Sequence, residues 1–168
     1  MFKKSIFGAI SAIALLVLLG ACTPQQSELR LDSVTQTGKI EGKVTYDVGV
    51  YKDDAGNIIT YGGKFEPADG VTVIARIAHS QYVSGSNTGD YTVEATTDRD
   101  GRYELNIPTG AKTVSVKVSC LPFYKRKGYL KEGKIEYEVV LYNNSSSQNP
   151  SITAKEIKVV NLQVTSPY

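Results

Sequence analysis

From residue 40 to residue 48, apolar and polar side chains take turns. Ile40, Gly42, Val44, Tyr46 and Val48 fall on one side, and Glu41, Lys43, Thr45 and Asp47 on the other. Successive side chains of an extended chain point to opposite faces. A period of two therefore describes a strand with one face buried and one in water. The pattern returns with Val71, Val73, Ala75 and Ile77, with Tyr91, Val93 and Ala95, with Tyr103, Leu105 and Ile107, and with Val114, Val116, Val118 and Cys120. Residues 135–142 read as a further strand with Tyr137, Val139 and Leu141 aligned inward. Ile157, Val159 and either Val160 or Leu162 begin a last strand that ends near Val164. No stretch after residue 22 carries a helical stripe. Seven to eight short strands between turn signals predict an all-β, antiparallel β-sandwich.

The turn signals are Asp53-Asp54-Ala55-Gly56-Asn57, Pro67-Ala68-Asp69-Gly70, Asp98-Arg99-Asp100-Gly101 and Pro108-Thr109-Gly110. Gly and Asn tolerate positive φ there, and Asp side chains accept from nearby amides. Residues 58–61 read as a short return strand. Residues 79–90 read as a polar loop and residues 121–133 as an irregular segment. Residues 143–150 form a Ser/Asn loop.

The first 22 residues have a different character. Lys3 and Lys4 precede an apolar run from Ile6 to Leu19, and small residues follow. That order describes an export signal. The run is shorter than the roughly 20 apolar residues of a spanning helix. Leu19-Gly20-Ala21-Cys22 resembles the lipobox of bacterial lipoproteins. The resemblance implies removal of residues 1–21 and lipidation of Cys22, through a diacylglycerol thioether and an amide-linked acyl chain. Two or more chains anchor stably where one does not. Position 23 is Thr rather than Asp, which in such lipoproteins favours the outer membrane. Residues 22–37 then form a lipidated polar tether, and residues 38–168 the sandwich domain.

Processing also alters the charge. The full chain carries a formal +2, and Lys3 and Lys4 supply that excess. The processed chain is nominally neutral, without the basic footprint that phosphate attraction requires of nucleic-acid binders. With Cys22 lipidated, Cys120 has no intramolecular disulfide partner and reads as a small buried hydrophobe.

Four segments resemble the carboxypeptidase regulatory-like family: Ile40-Glu41-Gly42-Lys43-Val44, Asp69-Gly70-Val71-Thr72-Val73, Thr97-Asp98-Arg99-Asp100-Gly101-Arg102-Tyr103-Glu104-Leu105 and Ile107-Pro108-Thr109-Gly110. The resemblance spans residues 38–120 and implies a transthyretin-like (prealbumin-like) sandwich and a non-catalytic, accessory role. Residues 47–66 and 79–90 are longer than the family pattern. Extra loop length at one end of a sandwich is where binding is built.

Catalytic patterns are missing. His79 is the one histidine, which excludes a multi-histidine zinc site, and there is neither a Gly-x-Ser-x-Gly elbow nor a phosphate-binding loop. Asp98-x-Asp100-Gly101 lacks the remaining ligand positions of a calcium loop and reads as turn chemistry. No cofactor is expected. The binding candidates are Tyr82, Phe123, Tyr124, Lys125, Arg126 and Tyr129, aromatic and basic residues assigned to loops. The expected partners are the membrane, through Cys22, and another envelope protein. A surface glycan and a pilus-type assembly are the alternatives.

Overall fold

The computed structural model describes residues 35–60, 63–83 and 88–166. The segment expected to be an export signal, Cys22 and most of the expected tether lie outside the described residues. Among the described residues there are fifteen short strands and one turn of 3-10 helix, His79–Gln81. The strands are β1 (Thr37–Asp47), β2 (Tyr51–Lys52), β3 (Ile58–Ile59), β4 (Phe65–Pro67), β5 (Thr72–Ala78), β6 (Asp90–Thr96), β7 (Arg102–Pro108) and β8 (Val114–Ser115). They continue with β9 (Lys117–Cys120), β10 (Phe123–Lys131), β11 (Lys134–Tyr142), β12 (Asn144–Ser145), β13 (Ser151–Ile152), β14 (Ile157–Val159) and β15 (Leu162–Thr165). The chain is an all-β sandwich.

β1 is the centre of one sheet. Along one edge it pairs antiparallel with β7 and then β4. Along the other edge it pairs with β14 and then β15, both parallel, in the registers Ile40↔Lys158 and Val44↔Leu162. The facing sheet has the order β6-β5-β9, and β8 pairs with β13 beside it. Ile40, Val44, Leu105, Ile107, Leu162 and Val164 from the first sheet meet Val73, Ala75, Ile77, Val114, Val116, Val118 and Ile152 in one buried cluster. Burial of such side chains drives folding at about 25 cal/mol per Å² of apolar surface.

Two turns lock the sheets together. Asp98 Oδ1 accepts the amides of Asp100 and Arg102 at 2.9 and 2.8 Å. Gly101, at φ 72°, presents its carbonyl to the Val44 amide at 2.8 Å. A side chain at position 101 would meet the Val44 carbonyl oxygen. Buried Thr97 accepts from the Val71 amide at 2.9 Å and donates to the Ala68 carbonyl at 2.6 Å. The Thr-Asp-x-Asp-Gly segment is thus a staple between β1, the start of β5 and β7.

Two expectations need correction, and one choice left open is decided. Residues 121–133 are not an irregular loop. They contain all of β10, nine residues paired along their length with β11. In β11, Tyr137 and Val139 point outward, at 56% and 66% exposure, and Tyr142 is the buried residue. Strand pairing sets this: Phe123 stands opposite Tyr142, and their rings stack at 5.5 Å with Tyr46 edge-on to both. In the last strands Ile157 and Val159 also face outward, while Val160, Leu162 and Val164 are buried.

Candidate functional site

Past the end of β1 the chain continues into contact with the long hairpin. The Val50 amide donates to the Gly128 carbonyl at 2.9 Å, and the Gly128 amide to the Val48 carbonyl at 2.8 Å. The β2–β3 hairpin rises just beyond. Its turn is held by Asp53, whose carboxylate accepts the amides of Ala55 and Asn57 and the Asn57 side chain. Those bonds, the Asn57 side chain foremost, hold the Asp53 carboxyl below its ordinary pKa.

Between the two hairpins lies a cleft of about 900 Å³. Tyr46, Val48 and Val50 form its base. Tyr51, Lys52 and Ile58 from the β2–β3 hairpin line one wall, with Lys64 and Glu66 from the segment leading through β4. Arg126 of β10, Gly133 of the tight turn, and Lys134, Ile135 and Tyr137 of β11 line the other. Lys64 bonds Glu66 at 3.1 Å and sits 5.4 Å over the Tyr51 ring. The Glu66 contact raises the Lys64 pKa. The Arg126 guanidinium stands 5.0 Å over the Tyr137 ring. Both are cation–π contacts that fix a ring and a charge together. Burial, and after it Glu66 and Asp69, raise the Tyr46 hydroxyl above its usual value. Lys52 and Lys134 are exposed and have no ion-pair partner among the described residues.

The residues singled out in the sequence are not brought together as a group. Arg126 lines the cleft, and Tyr124 stands 67% exposed on the same outward face of β10. Phe123 and Lys125 point the opposite way. Phe123 joins the aromatic stack, and Lys125 pairs with Asp69, whose carboxyl pKa that contact lowers. Tyr129, on β10 and not in a loop, donates to Glu136 at 2.8 Å. Tyr82 is half-buried at the end of the 3-10 turn, donates to the Pro108 carbonyl and packs edge-on to Tyr91. It packs against the core and lies away from the cleft lining. Cys22 lies outside the described residues. Cys120 is half-buried at the end of β9, against the core. No group of three or more His, Cys, Asp or Glu is placed to hold a metal among the described residues.

Sequence reasoning passed over Tyr51, Lys52, Lys64, Lys134 and Tyr137. The readable signal was the period of two through residues 123–142, which places Arg126 and Tyr137 on one face once the turn at Glu132-Gly133 is recognised. Both turn residues have positive φ, 49° and 76°.

No family model matches the sequence, and no curated protein matches it. Of what the carboxypeptidase regulatory-like resemblance implies, the fold bears out the β-sandwich. Three solved structures share part of the chain path. A protein from Pseudomonas aeruginosa proposed to bind carbohydrate is 15% identical, with a TM-score of 0.40, over 76% of this chain and 88% of that one. The major plantain pollen allergen Pla l 1 is 16% identical, with a TM-score of 0.39, over 78% and 94%. A double mutant of the shaft pilin SpaA from Lactobacillus rhamnosus GG is 17% identical, with a TM-score of 0.41, over 79% of this chain and 52% of the pilin.

Proposed function

We propose that the chain is a lipid-anchored, non-catalytic binding module of the bacterial outer membrane that holds a glycan between its β2–β3 and β10–β11 hairpins. The cleft carries this reading. It is concave, about 900 Å³, and lined by the rings of Tyr46, Tyr51 and Tyr137. Small-molecule sites combine concavity, apolar walls and a few fixed polar groups. Two features support a binding role over hydrolysis. Glycosidic cleavage uses two carboxylates flanking the bond. Here the cleft lining has one, Glu66, and Lys64 engages it. The anchor rests on Leu19-Gly20-Ala21-Cys22.

The test is retention of the full chain on immobilised polysaccharides, with Tyr51→Ala and Tyr137→Ala beside the parent. Loss of retention in both variants, with melting temperature kept, is the expected result. Retention unchanged in both would remove the cleft from the proposal. Intact mass and cell fractionation test the anchor: acylated protein beginning at Cys22 in the outer-membrane fraction is expected, and an unmodified Cys22 would overturn it. A protein partner is the second reading. Tyr124 and Val139, both about two-thirds exposed on the outward face of the long hairpin, favour it.

A further inference from the structure

Resting on the glycan reading, we infer that the ligand is an acidic glycan, with its carboxylates held by Lys52 and Lys134 from opposite walls of the cleft. The charge balance of the lining carries the inference. Among the lining residues, Lys52, Lys64, Arg126 and Lys134 outnumber the one carboxylate, Glu66, while Asp54, outside the lining, also acts on Lys64. The chain without its first 21 residues is nominally neutral, so the cleft gathers positive charge at the expense of the remaining surface.

The four cations are not equivalent. Lys64 is spent on Glu66 and on the face of Tyr51, and Arg126 lies over Tyr137. These two brace the rings. Lys52 and Lys134 are exposed, and no acid pairs with either among the described residues. Elsewhere on the same hairpin the sequence does supply partners: Lys125 has Asp69, and Lys131 has Glu136. Cations left unpaired at the rim of a concave site raise the local concentration of anions and their rate of encounter. A neutral sugar would use the rings and leave these charges idle. A sugar acid uses both, with a pyranose face on the open side of Tyr137 and carboxylates at the rim.

The experiment is titration of the full chain in detergent with polygalacturonate, its methyl ester, polyglutamate and pyrophosphate. Polygalacturonate should bind and the ester should bind weakly. Lys52→Gln/Lys134→Gln should weaken polygalacturonate about tenfold, the scale of two exposed charge contacts. That difference should shrink at 1 M salt, where screening acts within about 3 Å. Both substitutions lie on the surface, and a melting curve confirms the fold. Equal binding of acid and ester would overturn the inference and leave the glycan reading standing. Polyglutamate or pyrophosphate binding as tightly as polygalacturonate would overturn it by showing that charge alone is recognised. Polyglutamate or pyrophosphate binding with neither carbohydrate bound would sink both readings.

Discussion

A β-carbon built on Gly128 stands 2.0 Å from the carbonyl oxygen of Val50. The two backbones touch there, and this contact joins the long hairpin to the strand leaving β1. Gly128→Ala should therefore destabilise by about 2 kcal/mol, the scale of overpacking in a tight contact. It should also open the cleft, because Arg126 and Tyr137 ride on the displaced hairpin. Denaturant unfolding and polysaccharide retention measured on one sample check it; unchanged stability would show that the hairpin shifts without cost.

Thr97→Val keeps the shape of the side chain and removes both of its bonds. The Val71 amide and the Ala68 carbonyl lose their partner in a buried place. Leaving such groups unsatisfied should cost about 2 kcal/mol. Thr97→Ser keeps the hydroxyl and should recover most of the loss.

Alkaline pH should unfold the domain through its buried phenols. Burial pushes Tyr82 up to about 12 and raises Tyr103 and Tyr142 further. The folded state holds these protons more tightly than the unfolded chain, whose tyrosines ionise near 10.0. Stability is thus fully present below pH 10 and falls as pH rises beyond it. Tyrosinate absorbance should rise in two stages, exposed rings first and buried ones only with unfolding. A single smooth titration would refute the burial argument.

Glu156 gives the acid counterpart. Lys158 bonds it at 2.8 Å, and the Thr153 amide and hydroxyl donate to it at 2.9 Å each. These contacts, Lys158 foremost, bring its carboxyl down to about 2 from 4.5. Its contribution is present above pH 4.5 and lost as pH falls toward 2. Carboxyl NMR titration should show this midpoint, and Lys158→Gln should raise it. A midpoint near 4.5 in the parent would mean that solvent dissolves the cluster.

The strands that alternate cleanly were legible because one side of each is greasy and the other is not. β1, β5, β6 and β7 follow Ile40, Val73, Val93 and Leu105 as read. β10 hid because its polarity is inverted. Lys125 and Lys127 turn inward to Asp69 and Asp47, while Tyr124 points to water. Alternation was present, but the charged side was the inner one, and a pattern of residue types cannot show a partner distant in sequence. The same limit misassigned Tyr137 and Val139. In the last strands both faces carry apolar residues, so periodicity left the choice open; pairing with β1 decides it. There Tyr103 donates to the Val160 carbonyl at 2.6 Å, and Asn161 Oδ1 accepts the Lys43 amide at 3.0 Å. The cleft was less legible than the fold. Its lining comes from segments at residues 46–66 and 126–137, each ordinary when read alone.

The parallel pairing of β1 with β14 and β15 joins residues 118 positions apart, as the Lys43–Asn161 bond records. Contacts so remote in sequence form slowly, since the loop must close before the contact rewards it. While a ribosome is still short of residue 157, β1 has one edge without its neighbours and the core has no Leu162. A nascent chain in that condition cannot yet close its core. The topology that finishes the sandwich also delays it until nearly the whole domain has been made.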